Sequence, residues 1–325
     1  MKAILFHNPG SGTGEYGAEE LQAILRLAGH DVTYCSTKSS GFKSALKKTY
    51  ELAVVAGGDG TVGKVLKGLK DRSMPIGILP LGTANNIATS LGISGPPAEI
   101  VTSWTPKRTR ELSVGVAKGP WGKMNFIEAV GFGAMVDATD SSIGENVEGD
   151  HRLVLGRDAL RKALKKGKAR NLHVTIDGKP ITNKLLALEV LNIGYAGPGI
   201  PLRLAADPGD DLLDVVMIGD DQREGMLDWL GPAHEETAPP LTARRGREIV
   251  IEWKGKPPMR LDDGYIDPPD AKTKIKLRLS KDKLTILLPR GAKSPAAKRR
   301  TRSAAKKKPA TRKRTPAKPG KAAKA

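Results

Sequence analysis

Apolar runs alternate with helical patterns through the first hundred residues. Ala3-Ile4-Leu5-Phe6 is a short apolar run that ends at Asn8-Pro9-Gly10. Leu21, Ile24, Leu25 and Ala28 then recur at helical spacing and stop near Gly29. Asp31–Cys35 reads as a second strand, and a basic amphipathic stretch around Ala45 and Leu46 leads into Leu52-Ala53-Val54-Val55-Ala56. That run is apolar at every position, as a strand buried on both faces should be. A glycine loop follows, then a helix carrying Val62, Val65, Leu66 and Leu69, the apolar run Ile76–Leu79 ending at Pro80, and a helix from about Asn85 to Leu91. Strands alternating with helices predict a parallel sheet covered on both sides, a Rossmann-like α/β domain over residues 1–110.

After Trp104 strand-like runs dominate: Glu111–Ala117, Asn125–Val130, Leu172–Ile176, Leu185–Leu191, Leu213–Ile218, Glu248–Trp253, Ile275–Leu279 and Leu284–Leu288. Asp177-Gly178 is a hairpin turn signal. One helical insert, about Arg152 to Lys168, interrupts them. The pattern predicts a mainly antiparallel second domain over residues 111–289, a β-sandwich whose last strand has the option of returning to the first domain. From Arg290 to Ala325 the chain is low-complexity Lys, Arg, Ala and Pro, expected to be disordered in isolation.

Charge changes the picture only at that tail. The 325 residues carry a formal charge of +19. Residues 290–325 hold 15 Lys or Arg and no acid, leaving 39 basic against 35 acidic residues elsewhere. The body is nearly balanced, so its charge is no argument for nucleic-acid binding. Cys35 is the single cysteine, which excludes an internal disulfide and fits a reducing compartment. The first ten residues lack the apolar region of a signal peptide, and no run approaches the length of a membrane span. The expected place is the cytoplasm. The five histidines show no metal-ligand spacing, and one cysteine excludes a thiolate zinc site.

Three loops carry candidate chemistry: Asn8-Pro9-Gly10-Ser11-Gly12, Gly57-Gly58-Asp59-Gly60-Thr61, and Leu81-Gly82-Thr83-Ala84-Asn85-Asn86. Each follows an apolar strand. A strand that ends in glycines and opens a helix presents free N–H groups and a positive helix end, which suits phosphate. In an open parallel sheet all three gather at one edge, where ligands bind. Neither GxxxxGK[ST] nor a GxGxxG opening a helix after the first strand is present. Asp59 has two readings that can hold together, a carboxylate reaching a magnesium ion on the phosphates and a cap on the helix that follows.

Two quoted stretches, AVVAGGDGTVGKVLKGL and PIGILPLGTANNIATSLGI, resemble the diacylglycerol kinase catalytic domain family, which includes sphingosine and ceramide kinases and bacterial lipid kinases. NPGSG near the start, NFIEAVGFGAMVDA, LNIGYAGPGIPLRLAADPGDDLLDVVMI and RLDDGY extend the resemblance in order over about residues 1–290. NAD kinases share the first motif; the second-domain stretches favour lipid kinases. The resemblance implies an α/β domain of NAD kinase/diacylglycerol kinase type, a β-sandwich, and an active site between them. It implies ATP phosphates on Gly58–Lys64, a segment that includes Val62 and Gly63, with Thr37, Thr83 and Asn85 around the nucleotide and Mg2+ as the metal. Asp263 aligns with the general base, with Asp262 as an adjacent rival. A structural metal in the acidic turn would fall on Asp207, Asp210 and the carbonyl of Leu212.

This chain departs from the family pattern at four places. Gly63-Lys64 replaces Asn-Glu, Asn86 replaces Asp, Tyr265 replaces the Glu after Asp-Gly, and Asp211 replaces a Gly. Fewer acids and one added lysine are compatible with tighter phosphate binding, with an anionic acceptor, or with reduced activity. The implied function is ATP-dependent transfer of the γ-phosphate to a lipid hydroxyl, of diacylglycerol or a related lipid. The alternatives are an NAD-kinase-like enzyme with a soluble acceptor and a degenerate kinase fold that binds nucleic acid through its tail. That tail, residues 290–325, lacks aromatics for base stacking. Its attraction to DNA, RNA or anionic lipid would be electrostatic and salt-sensitive, and it can hold a lipid kinase peripherally on the inner face of a membrane.

Overall fold

The computed structural model describes residues 1–12, 14–140, 149–231, 238–267 and 272–292. The first unit runs β1 (Lys2–His7), α1 (Ala18–Leu27), β2 (Asp31–Ser36), α2 (Phe42–Ala45), β3 (Leu52–Gly57), α3 (Asp59–Gly68), β4 (Pro75–Pro80), α4 (Asn86–Leu91) and α5 (Pro97–Thr102). β2, β1, β3 and β4 lie side by side, every pair parallel. All six residues of β3 are buried because helices cover both faces of this central strand. α1 has Glu19 and Glu20 in its first turn and Arg26 in its last, matching the helix dipole. It ends at Gly29, whose φ of 83° is cheap only for glycine.

The second unit begins with β5 (Thr109–Gly119), β6 (Gly122–Phe126), β7 (Ala129–Gly133), α6 (Ala134–Asp140) and α7 (Gly149–Lys166). It continues with β8 (Arg170–Ile176), β9 (Lys179–Leu191), β10 (Leu213–Gly219), α8 (Arg223–Trp229), β11 (Ala243–Gly246), β12 (Glu248–Trp253), β13 (Met259–Leu261), β14 (Gly264–Ile266) and β15 (Thr273–Leu287). Its pairings are antiparallel. Phe126, Phe132, Leu188, Ile251, Trp253 and Leu277 fill the space between its layers. α6, α7 and α8 pack Met135, Leu160, Leu164, Met226 and Trp229 on Leu186, Ala187, Val216 and Ile218 of β9 and β10. The architecture is the expected one, an α/β domain with a parallel sheet followed by a β-sandwich.

β15 joins the two. Thr285 and Ile286 pair in parallel with Pro75 and Ile76 of β4. Leu284 and Ile286, with Leu112 and Val114 of β5, enter the core of the first unit. β5 pairs with β15 along both of its halves, so the two runs read separately in the sequence form one strand with an irregularity between Leu279 and Lys283. The opposite happens at Asn125–Val130. That single run is broken between β6 and β7, because the N–H groups of Ile127, Glu128 and Ala129 turn to the carboxylate of Asp262. Residues 293–325, most of the basic tail, lie outside the described residues. Among the described residues no helix is long and apolar enough to cross a membrane.

Candidate active site

Parallel pairing of β1, β3 and β4 sets their C-terminal ends at one edge, and the three glycine loops interlock there. A Cβ added to Gly82 would lie 2.4 Å from the Cα of Gly58, and one added to Gly12 would lie 2.2 Å from the carbonyl oxygen of Leu81. These glycines are therefore required by loop-on-loop packing as well as by any ligand. Asn8 donates from Nδ2 to Thr61 Oγ1 at 3.2 Å, tying the first loop to the second. Asn85, left-handed at φ 48°, braces its own turn through Gly82 N–H to Oδ1 at 2.9 Å.

Asp59 crosses between loops. Its carboxylate accepts from Asn86 N–H at 2.8 Å and Ile87 N–H at 2.9 Å, so it caps α4 rather than its own helix α3. Burial pushes its pKa up to about 6; the N–H groups of Ile87 and Asn86 oppose the rise, and the charge of Asp263 adds to it.

Asp262 and Asp263, adjacent in sequence, do different things. Asp262 is buried, with a left-handed φ of 52°. It accepts from Ile127 N–H at 3.0 Å and Glu128 N–H at 2.8 Å, and forms an ion pair with Lys67 Nζ of α3 at 2.5 Å. Its lone pairs are committed to holding the sandwich against the first domain. Asp263 is exposed on the cleft wall. A Cβ built on Gly60 would lie 3.4 Å from its Oδ2, so it stands over the first turn of α3. The geometry thus separates the two rivals.

The cleft between the domains has a volume of about 770 Å3. Of the residues singled out from the sequence, Asn8, Ser11, Gly12, Thr37, Gly58, Asp59, Gly60, Thr61, Lys64, Gly82, Thr83, Ala84, Asn86, Asp262 and Asp263 line it. Pro9, Gly10, Gly57, Val62, Gly63 and Asn85 stand outside its lining: Val62 packs in the core, and a Cβ on Gly57 would strike Thr61 at 2.7 Å. Lys64 leans its ammonium over Phe42, 4.7 Å from the ring centre, and donates to Thr37 O at 3.4 Å. Lys38, Arg260 and the Gly197-Pro198 turn also line the cleft, and the sequence reading did not single them out. Arg260 is buried and paired with buried Glu189 at 2.9 Å, in space left by Gly131, where a Cβ would sit 2.3 Å from Glu189 Oε1.

Two metal positions can be tested against these residues. Asp59 and Asp263 turn two carboxylates toward one cleft, and their repulsion raises Asp59; such a pair suits a hard cation on phosphates. The turn at Asp207, Asp210 and Leu212 does not suit one. Arg110 Nη2 lies 2.8 Å from Asp207, Arg245 is ion-paired to Asp210, and Lys283 Nζ donates to Gly209 O at 2.8 Å. Leu212 N–H donates to the other oxygen of Asp210 at 3.0 Å. Protein cations already hold both carboxylates a metal would need.

Residues 2–117 match the model of the diacylglycerol kinase catalytic domain, and residues 131–275 match that of the YegS C-terminal NAD kinase beta sandwich-like domain. A diacylglycerol kinase of Bacillus subtilis (strain 168) is 24% identical over 233 residues, 67% of this chain and 73% of that protein. A diacylglycerol kinase of Staphylococcus aureus (strain MRSA252) is 30% identical over 101 residues, 28% of this chain and 32% of the relative, so that match spans about a third of the relative's length. The crystal structure of a diacylglycerol kinase from Bacillus anthracis str. Sterne superposes with a TM-score of 0.65 at 19% identity, covering 90% of this chain and 98% of that one, a likeness of fold. Two consecutive family models laid over the α/β domain and the sandwich agree with the loops and the late Asp-Gly turn: the chain belongs to the diacylglycerol kinase catalytic domain family.

Proposed function

We propose that the protein is an ATP-dependent lipid kinase that transfers the γ-phosphate to the hydroxyl of diacylglycerol or a related lipid. The observation that carries this is the placement of Asp263 over the first turn of α3, against the glycine loop and on the wall of the cleft. Backbone N–H groups at Gly58–Thr61 and the N-terminus of α3 supply the phosphate seat. Lys64, one turn into α3, adds a positive charge, and Thr37, Thr83 and Ser11 offer hydroxyls around the nucleotide. Asp263 accepts the proton of the lipid hydroxyl as its oxygen bonds to the γ-phosphorus. The bond from that phosphorus to the β-phosphate oxygen breaks, and ADP leaves. Asp262 cannot serve, because its oxygens are filled by three backbone N–H groups and Lys67. Mg2+, if held at Asp59 beside the phosphates, would neutralise their charge. The acceptor sits in a bilayer, so a peripheral encounter with an anionic membrane is part of the reading, and the basic segment 290–325 suits it.

Purified protein, γ-labelled ATP and a panel of lipid alcohols in mixed micelles test the reading. Label is expected in the lipid phase with wild type and to be absent with Asp263→Asn, whose ATP affinity stays close to wild type. Label found only in a water-soluble product would replace the lipid acceptor by a soluble one. ATP binding with no transfer to any acceptor would leave a degenerate kinase fold.

A further inference from the structure

Arg260 lines the cleft, is 3% exposed, and has no part in the mechanism above. Strand register accounts for its burial. Arg260 of β13 stands opposite Gly131 of β7, and Gly131 stands opposite Glu189 of β9. Side chains at one register share a face of the sheet. Gly131 has none, and the Glu189 carboxylate occupies the space, with Oε1 2.3 Å from where a Cβ would sit. The guanidinium meets it there: Arg260 Nη2 donates to Glu189 Oε2 at 2.9 Å. Arg260 Nη1 donates to the carbonyl oxygen of Asp262 at 2.8 Å.

That second bond is to the peptide that leads into Asp263. Leu261 pairs with Gly264, so Asp262 and Asp263 are the two central residues of a hairpin turn. The φ of Asp262 is positive, at 52°, and that of Asp263 is not. Types I′ and II′ share the first sign and differ in the second, so the peptide between the central residues has two ways up. The other anchors of Asp262 leave that choice open. Its N–H donates to Ala129 O at 2.9 Å, and its carboxylate is held by the N–H groups of Ile127 and Glu128 and by Lys67. These fix how the chain enters the turn and where the side chain goes, and none of them touches the carbonyl. Arg260 holds the carbonyl itself, and so sets ψ of Asp262.

We propose that Arg260, braced by Glu189, is a positioning residue that selects one orientation of the 262–263 peptide and so aims the Asp263 carboxylate at the first turn of α3. Asp263 Oδ2 lies 3.4 Å from where a Cβ on Gly60 would sit. Turning the peptide over rotates what lies beyond it and takes the carboxylate away from that turn. Lysine cannot replace the arginine, since a single ammonium lacks the fixed fork that spans Glu189 and the carbonyl together. The effect on rate rests on the reading of Asp263 as the base; the orientation of the turn stands apart from it.

Label transfer from ATP to the lipid reads the effect. Arg260→Lys should lower kcat roughly 10- to 100-fold and leave the KM for ATP within about threefold, the mark of a misplaced reacting group. On an Asp263→Asn background the same change should cost less than about twofold, because no base is left to aim. Glu189→Gln keeps an acceptor for Nη2 and should hold kcat within about threefold of wild type. Thermal melts establish folding. If Arg260→Lys fails to fold, Arg260→Met together with Glu189→Met removes both charges, an exchange that buried pairs tolerate, and takes its place with the same expected loss. Crystal structures of wild type and this double variant read the turn directly: the 262–263 peptide is expected to be turned over, or split between two orientations, in the variant. A full loss repeated on the Asp263→Asn background, a raised KM for ATP with kcat unchanged, or a double variant whose peptide stands as in wild type overturns the proposal. A wild-type protein that transfers no phosphate, beside a double variant whose peptide turns over, retains the device and sinks the kinase reading instead.

Discussion

Lys67 Nζ of α3 lies 2.5 Å from Asp262 Oδ2 in the β13–β14 turn, an ion pair that spans the two domains beside the cleft. Asp262 is 7% exposed and Lys67 28%, so the contact is largely withdrawn from solvent. With three backbone N–H groups on the same carboxylate, it fixes where the next residue, Asp263, stands. Replacing Asp262 by Asn should therefore lower stability by about 3 kcal/mol, the scale for breaking a buried pair. Replacing Asp263 by Asn should leave the melt nearly unchanged and lower kcat by roughly 10²–10⁴, the span of general-base catalysis. Thermal melts and label transfer on the two variants check this. A fully active Asp263→Asn protein removes that residue as the base.

Asp59 makes stability depend on pH. Its folded pKa of about 6 lies above the ordinary aspartate value of 3.8. A raised acid contributes stability that is fully present below the unfolded value and is lost as pH rises through the folded one. The whole contribution is about 3 kcal/mol, of which about 1.4 kcal/mol falls between pH 5 and pH 8. Urea denaturation of the ligand-free protein should show it weaker at pH 8 than at pH 5. Asp59→Asn should flatten that slope. Saturation with Mg2+ and an ATP analogue should flatten it in wild type, since cations favour the ionised carboxylate. A wild-type protein as stable at pH 8 as at pH 5 would refute the assignment.

The phosphate edge was legible because its signal is local. Apolar strand, glycines and helix follow one another within about ten residues, three times over. What those glycines do was not legible, because Gly12 meets Leu81 and Gly58 meets Gly82 across long stretches of chain. The same distance hid the cap on α4, since a helix-opening Asp reads as its own helix's cap. Glu128 and Glu189 sit inside apolar runs that read as plain strand, and Arg260 opens a motif, RLDDGY, that drew attention to its aspartates. Their meaning lies in partners 42 to 71 residues away. Strands such as β13 and β14 are three residues long and carry no period to read.

Lys64 stands where the family usually has Glu. Its ammonium rests over buried Phe42 and against the Thr37 carbonyl, and both Lys64 and Thr37 line the cleft. On the proposed reading it would strengthen the hold on phosphate and leave the reacting centre to Asp263. Lys64→Ala should raise the KM for ATP about tenfold, the worth of roughly one charge-assisted hydrogen bond, and leave kcat within about threefold. That split marks ground-state binding lost equally from the transition state. A large fall in kcat with KM unchanged would assign Lys64 to the transferring phosphoryl group instead.

The acidic turn of the second domain should need no metal. Arg110 takes Asp207, Arg245 takes Asp210 and reaches Asp214 at 3.4 Å, and Lys283 lies 3.0 Å from Glu111 and 3.2 Å from Asp211. Ser113 N–H donates to Pro208 O at 2.7 Å, so the backbone of β5 holds the turn as well. A divalent cation entering here must displace a guanidinium and leave it without its carboxylate. The glycine usual at position 211 is Asp in this chain, and that added carboxylate meets Lys283. Chelator and Mg2+ should thus shift the thermal midpoints of wild type and Asp210→Asn by the same amount, any shift arising at Asp59. Arg245→Ala should lose about 1 kcal/mol, the modest value of a partly exposed pair, and should regain part of it on adding Mg2+. A Mg2+ shift in wild type that vanishes in Asp210→Asn would place a metal in the turn and show that these cations only neighbour it.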